Sequence, residues 1–497
     1  MIDTNNTKQA AWVGIGSLFS FIVGIVSPMI LSRFFDKADY GTYKQVMYVY
    51  NTLLVVFTFG LPRAYSYFLP KRNVEEAKSI ITKLNKIFIV LGFIFSLILF
   101  IFASPIAKIL NNEELTYALR VFSPVPVLLL PTMGLEGILA TYKKTGYLAV
   151  FTIITRSFTV LCTVIPVIFY SGTYIHAIIG FDIAAIITCS LAFYLMGVPI
   201  KGIISKKTDL SYKEIFSFSF PLLTASLWGM IIGSAPQFYI SRYYGNEVFA
   251  DFSNGFMRFP IVEMVTASIA TVLLPEFSRI DKGNGMNEDA IAIWNNTILK
   301  SAKIIFPMII FCVFFAGLFM ICMYGDMYST SAVYFQIKNL SGLFYIVPFS
   351  PIMIAIGKTS EYSYYHLLTA VLTVILGFIA VRWFGSPINI AIVTELCFIL
   401  LIILMMGSIM RYARKSFLSL VPLKTLLNIL LASIISGVMT YLFCSYLPIN
   451  KYVVLLIAFF IYVTLYYILC WLFKISYKNI LESFLGSNHI LIMKFIP

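Results

Sequence analysis

Four basic side chains, Arg63, Arg156, Arg258 and Lys338, sit inside stretches otherwise built of Leu, Ile, Val, Phe and Ala. If such a stretch crosses a bilayer, a guanidinium or ammonium near its middle costs roughly 2.5–3.5 kcal/mol, so its presence calls for a role. The chemistry open to it is electrostatic: holding negative charge where water does not reach. Arg258 is the deepest, about ten residues from the outer end of its stretch, and Arg156 is also too far in to reach a headgroup easily. Arg63 lies near enough to the inner end to read equally as a snorkelling anchor. Lys338 and Lys44 stand close to the outer surface, where an interfacial role is the plainer reading.

Polar residues accompany these cations. Asp251, Asn254 and Arg258 are spaced i, i+3 and i+7, one face of a helix, and Lys44, Asn51, Thr58 and Tyr65 recur at seven-residue steps. Arg63 falls about 100° off that second stripe. Four acids, Glu136, Asp182, Glu263 and Glu395, share the apolar stretches. They either pair with the cations and hold the bundle together or include one that carries a coupling ion, H+ or Na+.

Other chemistries find little support. The cysteines (Cys162, Cys189, Cys312, Cys322, Cys397, Cys444, Cys470) form no CxxC pair, and His176, His366 and His489 are isolated, so neither a metal site nor a cofactor is expected. Gly357-Lys358-Thr359-Ser360 looks like the end of a phosphate-binding loop, but Ile352 stands where that motif needs glycine. No catalytic residue is assigned and no enzyme activity is expected, because no connection exceeds about 30 residues and an extramembranous catalytic domain has no room.

The elements that must position these residues follow from composition. A chain of 497 residues with 60% hydrophobic and 12% charged residues has too little polar surface to cover a soluble globule. An all-α polytopic membrane protein of about 14 transmembrane helices is expected. The spans fall near 10–32, 43–69, 84–106, 118–141, 148–170, 174–197, 215–240, 248–274, 303–324, 333–356, 363–381, 387–410, 421–446 and 452–473. The N-terminal MIDTNNTKQA carries one Lys and no cleavage signature, so span 1 reads as a retained helix.

Lys and Arg crowd alternate connections, among them Lys71, Arg72, Lys78, Lys83 and Lys86, then Lys201, Lys206 and Lys207, then Arg411, Arg414 and Lys415, then Lys474, Lys478 and Lys494. That bias places both termini in the cytoplasm. The net charge of +14 is therefore a topology signal with attraction to anionic lipid as its by-product, and no nucleic-acid partner is expected.

The chain is duplicated. Ser32-Arg33-Phe34-Phe35 returns as Ser241-Arg242-Tyr243-Tyr244, 209 positions on, and Leu69-Pro70 returns as Leu274-Pro275, 205 positions on. Lys144-Thr145 and Lys358-Thr359 lie 214 apart. Two parallel six-helix lobes plus two extra C-terminal helices follow, with residues 1–200 the N-terminal lobe, 201–213 a cytoplasmic linker, 214–415 the C-terminal lobe, and 416–497 helices 13–14 and a cytoplasmic tail.

The segment from Ser32 through Asp36, Asp39, Tyr40 and Gly41 to Tyr43 resembles the loop after the first helix of Wzx-type polysaccharide flippases, of the multidrug/oligosaccharidyl-lipid/polysaccharide exporter superfamily. Phe59-Gly60-Leu61-Pro62, Tyr67-Phe68-Leu69-Pro70, Phe218-Ser219-Phe220-Pro221-Leu222-Leu223 and Val272-Leu273-Leu274-Pro275 resemble other marks of that family. Asp36 departs from it, since glycine is common there. The resemblance implies a flippase in a bacterial inner membrane that moves undecaprenyl-diphosphate-linked oligosaccharide from the inner to the outer leaflet by alternating access, for surface polysaccharide biosynthesis. Its partners would be that lipid-linked substrate and membrane lipids. The cations Arg258, Arg156, Arg63, Lys338 and Lys44 would then face the diphosphate, with Asn51, Asn254 and the four acids lining the lumen or pairing with them.

Two rivals stay open. A cation-coupled drug or toxin antiporter of the same superfamily would place a carboxylate in the first helix, yet no Asp or Glu lies between Thr7 and Phe35. A membrane glycosyltransferase or polymerase would use acids on an outer loop. Asp36 and Asp39 are candidates, but the second copy has Glu247 and Asp251 at shifted positions.

Overall fold

The computed structural model describes residues 4–170, 172–278, 286, 288–347 and 349–477, and these contain helices, turns and irregular chain but no β-strand. The C-terminal tail beyond residue 477, with Lys478 and Lys494, and the end of the second repeat copy at Arg279 lie outside the described residues.

The chain divides into two compact units, Met1–Ala250 and Asp251–Pro497. The first runs α1 (Thr4–Phe34), α2 (Lys37–Thr58), α3 (Pro62–Phe68), α4 (Val74–Ile101), α5 (Ala103–Ile109), α6 (Leu115–Phe122), α7 (Val125–Leu129), α8 (Leu135–Thr141), α9 (Thr145–Phe169), α10 (Tyr174–Gly197) and most of α11 (Tyr212–Gly255). The second continues with α12 (Pro260–Ser278), α13 (Glu288–Phe314), α14 (Ala316–Tyr324), α15 (Ser331–Leu340), α16 (Phe349–Ala355), α17 (Thr359–Phe384), α18 (Pro387–Ala413), α19 (Phe417–Leu420), α20 (Leu423–Cys444) and α21 (Lys451–Leu472).

A multi-pass membrane protein is the consequence of how these helices divide their surfaces. On α4 one face buries Ile80, Leu84, Phe88, Phe95 and Leu99, while the other leaves Phe93 61% and Phe100 52% exposed. A helix apolar on both its buried and its exposed face is stable in lipid and not in water.

Among the described residues eleven helical stretches are long and apolar enough to cross a bilayer, or twelve when the bent α11 counts as one. The expected count of about 14 is not reached on that measure, because two expected spans, 248–274 and 333–356, are each broken. In the first, α11 departs from helical geometry at Gly245, ends at Gly255, and gives way to non-helical chain before Pro260 opens α12. In the second, α15 passes through a short 3-10 turn at Ser341–Phe344 before α16 begins. The fourth span, Leu115–Thr141, is likewise segmented into α6, α7 and α8 around Pro124, Pro126 and Pro131. Span 2 breaks where Phe59 and Gly60 adopt left-handed φ of 51° and 69° and Pro62 starts α3.

The expected linker at 201–213 is irregular from 203 to 211. It lies along the start of α4: Lys78 Nζ donates to the Ile203 carbonyl at 2.7 Å, and the Lys206 N–H to the Glu75 carbonyl at 3.1 Å.

Candidate functional site

The break between α11 and α12 is held open by one side chain. Asn339, near the end of α15 and fully buried, accepts from the Phe259 N–H at 2.7 Å and donates to the Met257 carbonyl at 3.2 Å. Both backbone groups have lost their helical partners, so the amide replaces bonds that the non-helical stretch gives up. Its Nδ2 also donates to the Phe335 carbonyl at 2.8 Å, which fixes the amide to its own helix.

Arg258 is the residue this clamp presents. Its guanidinium carbon lies 4.9 Å from the ring centres of both Tyr345 and Phe398, within cation–π range. Its buried Nε has no hydrogen-bond partner among the described residues, and no carboxylate lies within ion-pair distance of it among them. Lys338 stands beside the same Phe398 ring at 5.9 Å and over Phe256 at 4.5 Å. It is paired: Nζ meets Glu395 Oε1 at 2.7 Å, and Ser341 donates a hydrogen bond to the other carboxylate oxygen. Two cations and two carboxylates share this region: Glu395 is paired with Lys338, while Glu263 acts on Lys338 and Tyr345 from beyond ion-pair distance.

The sequence placed Asp251, Asn254 and Arg258 on one helical face; the structure corrects this, because α11 ends at Gly255 and Arg258 lies beyond it. Asp251 accepts instead from Ser331 at 3.2 Å, and Asn254 is buried. Glu263 is exposed in the first turn of α12 and forms no ion pair among the described residues.

In the first unit, Arg156 on α9 and Glu136 on α8 line one cleft of about 430 Å³ with Ser17 and Ser20 of α1 and Thr152 of α9. Both charged residues are exposed there and are not paired within 4 Å. Lys44 is half-buried with its ammonium 5.3 Å from the Tyr40 ring centre, and Asn51 and Arg63 are exposed. The expected stripe through Lys44, Asn51, Thr58 and Tyr65 is cut by the break after Thr58: Tyr65 lies on α3, is fully buried, and donates to Asn85 Oδ1. Asp182 on α10 joins none of these groups.

A buried polar network ties α2 to α11 within the first unit. Gln45 Nε2 donates to Ser241 Oγ at 2.8 Å, while Asn112 Nδ2 donates to Gln45 Oε1 and, at 2.9 Å, to Thr42 Oγ1. The helices approach so closely that a Cβ on Gly41 would lie 2.0 Å from the Asn246 carbonyl oxygen.

A long apolar groove of about 810 Å³ crosses the second unit between α13 and α21. Phe259 and Ile261 line it, so it includes the residue that follows Arg258; Met308, Phe311, Leu456 and Phe459 form its walls; Lys303 and Tyr477 also line it. Sequence reasoning missed Asn339, Tyr345, Phe398, Ser341 and the groove. Asn339 adjoins Lys338 and was open to notice, whereas two aromatics among 45 Phe and 31 Tyr carry no signal of their own.

A profile of the family described as polysaccharide biosynthesis protein matches residues 7–281. A protein named as an O-antigen transporter of Shigella flexneri is 22% identical over 376 residues, spanning 72% of this chain and 87% of its own. The succinoglycan biosynthesis transport protein ExoT of Rhizobium meliloti is 24% identical over 285 residues, 55% of this chain and 54% of its own. Among solved structures, the lipid II flippase MurJ in an inward closed conformation superposes with a TM-score of 0.74 at 17% identity, over 94% of this chain and 99% of that one, a likeness of fold.

Proposed function

This chain belongs to the polysaccharide biosynthesis protein family, and from that membership we propose that it is a flippase for an undecaprenyl-diphosphate-linked oligosaccharide. It moves that lipid from the inner to the outer leaflet of a bacterial inner membrane by alternating access of lobes 1–200 and 214–415, with both termini cytoplasmic. It performs no covalent chemistry.

The observation that carries this reading is Arg258: a cation with no carboxylate within ion-pair distance among the described residues, set at a helix break one residue before Phe259, which lines an apolar groove. A lipid diphosphate has the matching parts. Its phosphates need a cation when water is stripped away, and the guanidinium fork suits phosphate oxygens. The N-terminus of α12, which opens two residues on, adds favourable dipole. Its polyprenyl tail needs apolar surface, which the groove offers. Lys338 is largely committed to Glu395 and adds field rather than a free contact. With the cell interior negative, each anionic charge moving outward gains about 2.3 kcal/mol per 100 mV, so the membrane potential can drive the step.

The test is depletion of the protein in its own cell, followed by a leaflet-accessibility assay. Lipid-linked repeat units should accumulate facing inward while their assembly continues. Loss of sugar incorporation into the lipid precursor itself would refute the reading in favour of an enzyme.

A further inference from the structure

Asp182 takes no part in the sites described so far. It is the ninth residue of α10, so its Cα lies about 12 Å along the helix from Tyr174, well inside the hydrocarbon depth. Its neighbours on the helix divide into two faces: Ile178 and Ala185 are buried at 0% and 2%, whereas Ile179 and Ile186 are 43% and 54% exposed. Asp182 stands at the border between these faces and is half-buried. Its Oδ1 is sealed from solvent without a hydrogen-bond donor, and neither oxygen forms a hydrogen bond or an ion pair among the described residues.

No charged or titratable group on the packed elements makes a hydrogen bond or an ion pair with Asp182 among the described residues. α10 packs against α2, α6, α7, α8 and α9. On α9, Arg156 faces the cleft it shares with Glu136 of α8, and Cys162 sits where its carbonyl meets Gly180. On α2, Lys44 lies over Tyr40, and the Tyr50 ring packs between Phe95 and Phe122. On α6, Arg120 lies over Phe100, and α7 carries no ionisable group. None of them reaches the Asp182 carboxyl. A bare carboxylate at this depth, with neither donor nor counter-charge, is strongly disfavoured. A small metal cation would need several converging oxygens, and no cluster of three acidic, histidine or cysteine ligands exists among the described residues.

We propose that the Asp182 carboxyl is a proton-binding site, loaded in the conformation seen here and emptied when the first unit rearranges. Proton uptake from outside and release inside would then be exchanged for outward movement of the anionic lipid. The site depends on Asp182 alone; only the exchange rests on the flippase reading.

The experiment uses the full chain in liposomes and has two arms. Infrared difference spectra between acidic and alkaline buffer should show a protonated-carboxyl carbonyl band that disappears in Asp182→Asn. Where Asp182→Asn does not accumulate, Asp182→Glu must shift that band instead. In the second arm, the flipping rate of a fluorescent short-chain polyprenyl diphosphate should rise several-fold under an imposed proton gradient in the wild type. Asp182→Asn should flip at one rate with or without the gradient. A band that persists in Asp182→Asn, or that sodium rather than pH displaces, overturns the proposal, as does a gradient response that survives the substitution. If the wild type moves no probe at all, the flippase reading fails while the spectra still decide the proton site.

Discussion

Replacing Asn339 with alanine is the most informative single change, because it leaves every charge in place and removes only the clamp. The amide satisfies the Phe259 N–H at 2.7 Å and the Met257 carbonyl at 3.2 Å, both in non-helical chain. Each buried backbone group left without a partner costs about 1–3 kcal/mol, so Asn339→Ala, which strands both, should destabilise the fold by about 2–6 kcal/mol. The average side-chain hydrogen bond inside a membrane is worth less, near 0.6 kcal/mol, because the alternative state finds other partners. Here the bonded groups are backbone in a broken helix, where a new partner requires the break to close. Thermal unfolding of detergent-purified protein should therefore show a lower midpoint, and export should fall because Arg258 is no longer held between Tyr345 and Phe398. An unchanged midpoint together with full export in Asn339→Ala would refute the claim that this residue organises the site.

The remaining expectations concern the pair, the helix contact and the groove. Lys338→Ala strands the Glu395 carboxylate, only 5% exposed, and should cost about 3–5 kcal/mol, read as lost abundance that Lys338→Met combined with Glu395→Gln largely restores. Gly41→Ala drives a methyl into the Asn246 carbonyl and should destabilise by about 1–3 kcal/mol, read by thermal unfolding; Gln45→Ala, which removes hydrogen bonds without a clash, should cost less. Leu456→Trp fills the groove without touching a charge, and should slow export at normal protein abundance if the groove holds a lipid tail.

The apolar runs were legible because they are what the bilayer selects. Span 5 was expected at 148–170 and runs Thr145–Phe169; span 13 was expected at 421–446 and runs Leu423–Cys444. The breaks were not legible, since hydropathy assigns Phe256, Met257 and Phe259 the same value inside a helix or outside one. Asn254-Gly255 and Pro260 were the local marks, and a lone glycine is tolerated within a helix while proline is equally at home in the first turn of a continuing span. Among site residues, the cations stood out by type alone. Their partners did not: Glu395 follows Lys338 by 57 positions, and only the packing of α15 against α18 brings them together. Asp182 was visible as an acid in a span, but the absence of a donor around it is a property of three-dimensional packing.

The central claim is that Arg258 holds the anionic head of the transported lipid, and binding of a polyprenyl diphosphate to purified protein in nanodiscs tests it most directly. A charge-assisted contact worth about 1.5–3 kcal/mol corresponds to a loss of roughly 10- to 150-fold in affinity. Arg258→Ala should weaken binding by that amount and Arg258→Lys by less. Arg382→Ala, which changes a cation in the last turn of α17, should leave binding unaltered. Equal affinity in Arg258→Ala and wild type would contradict the account.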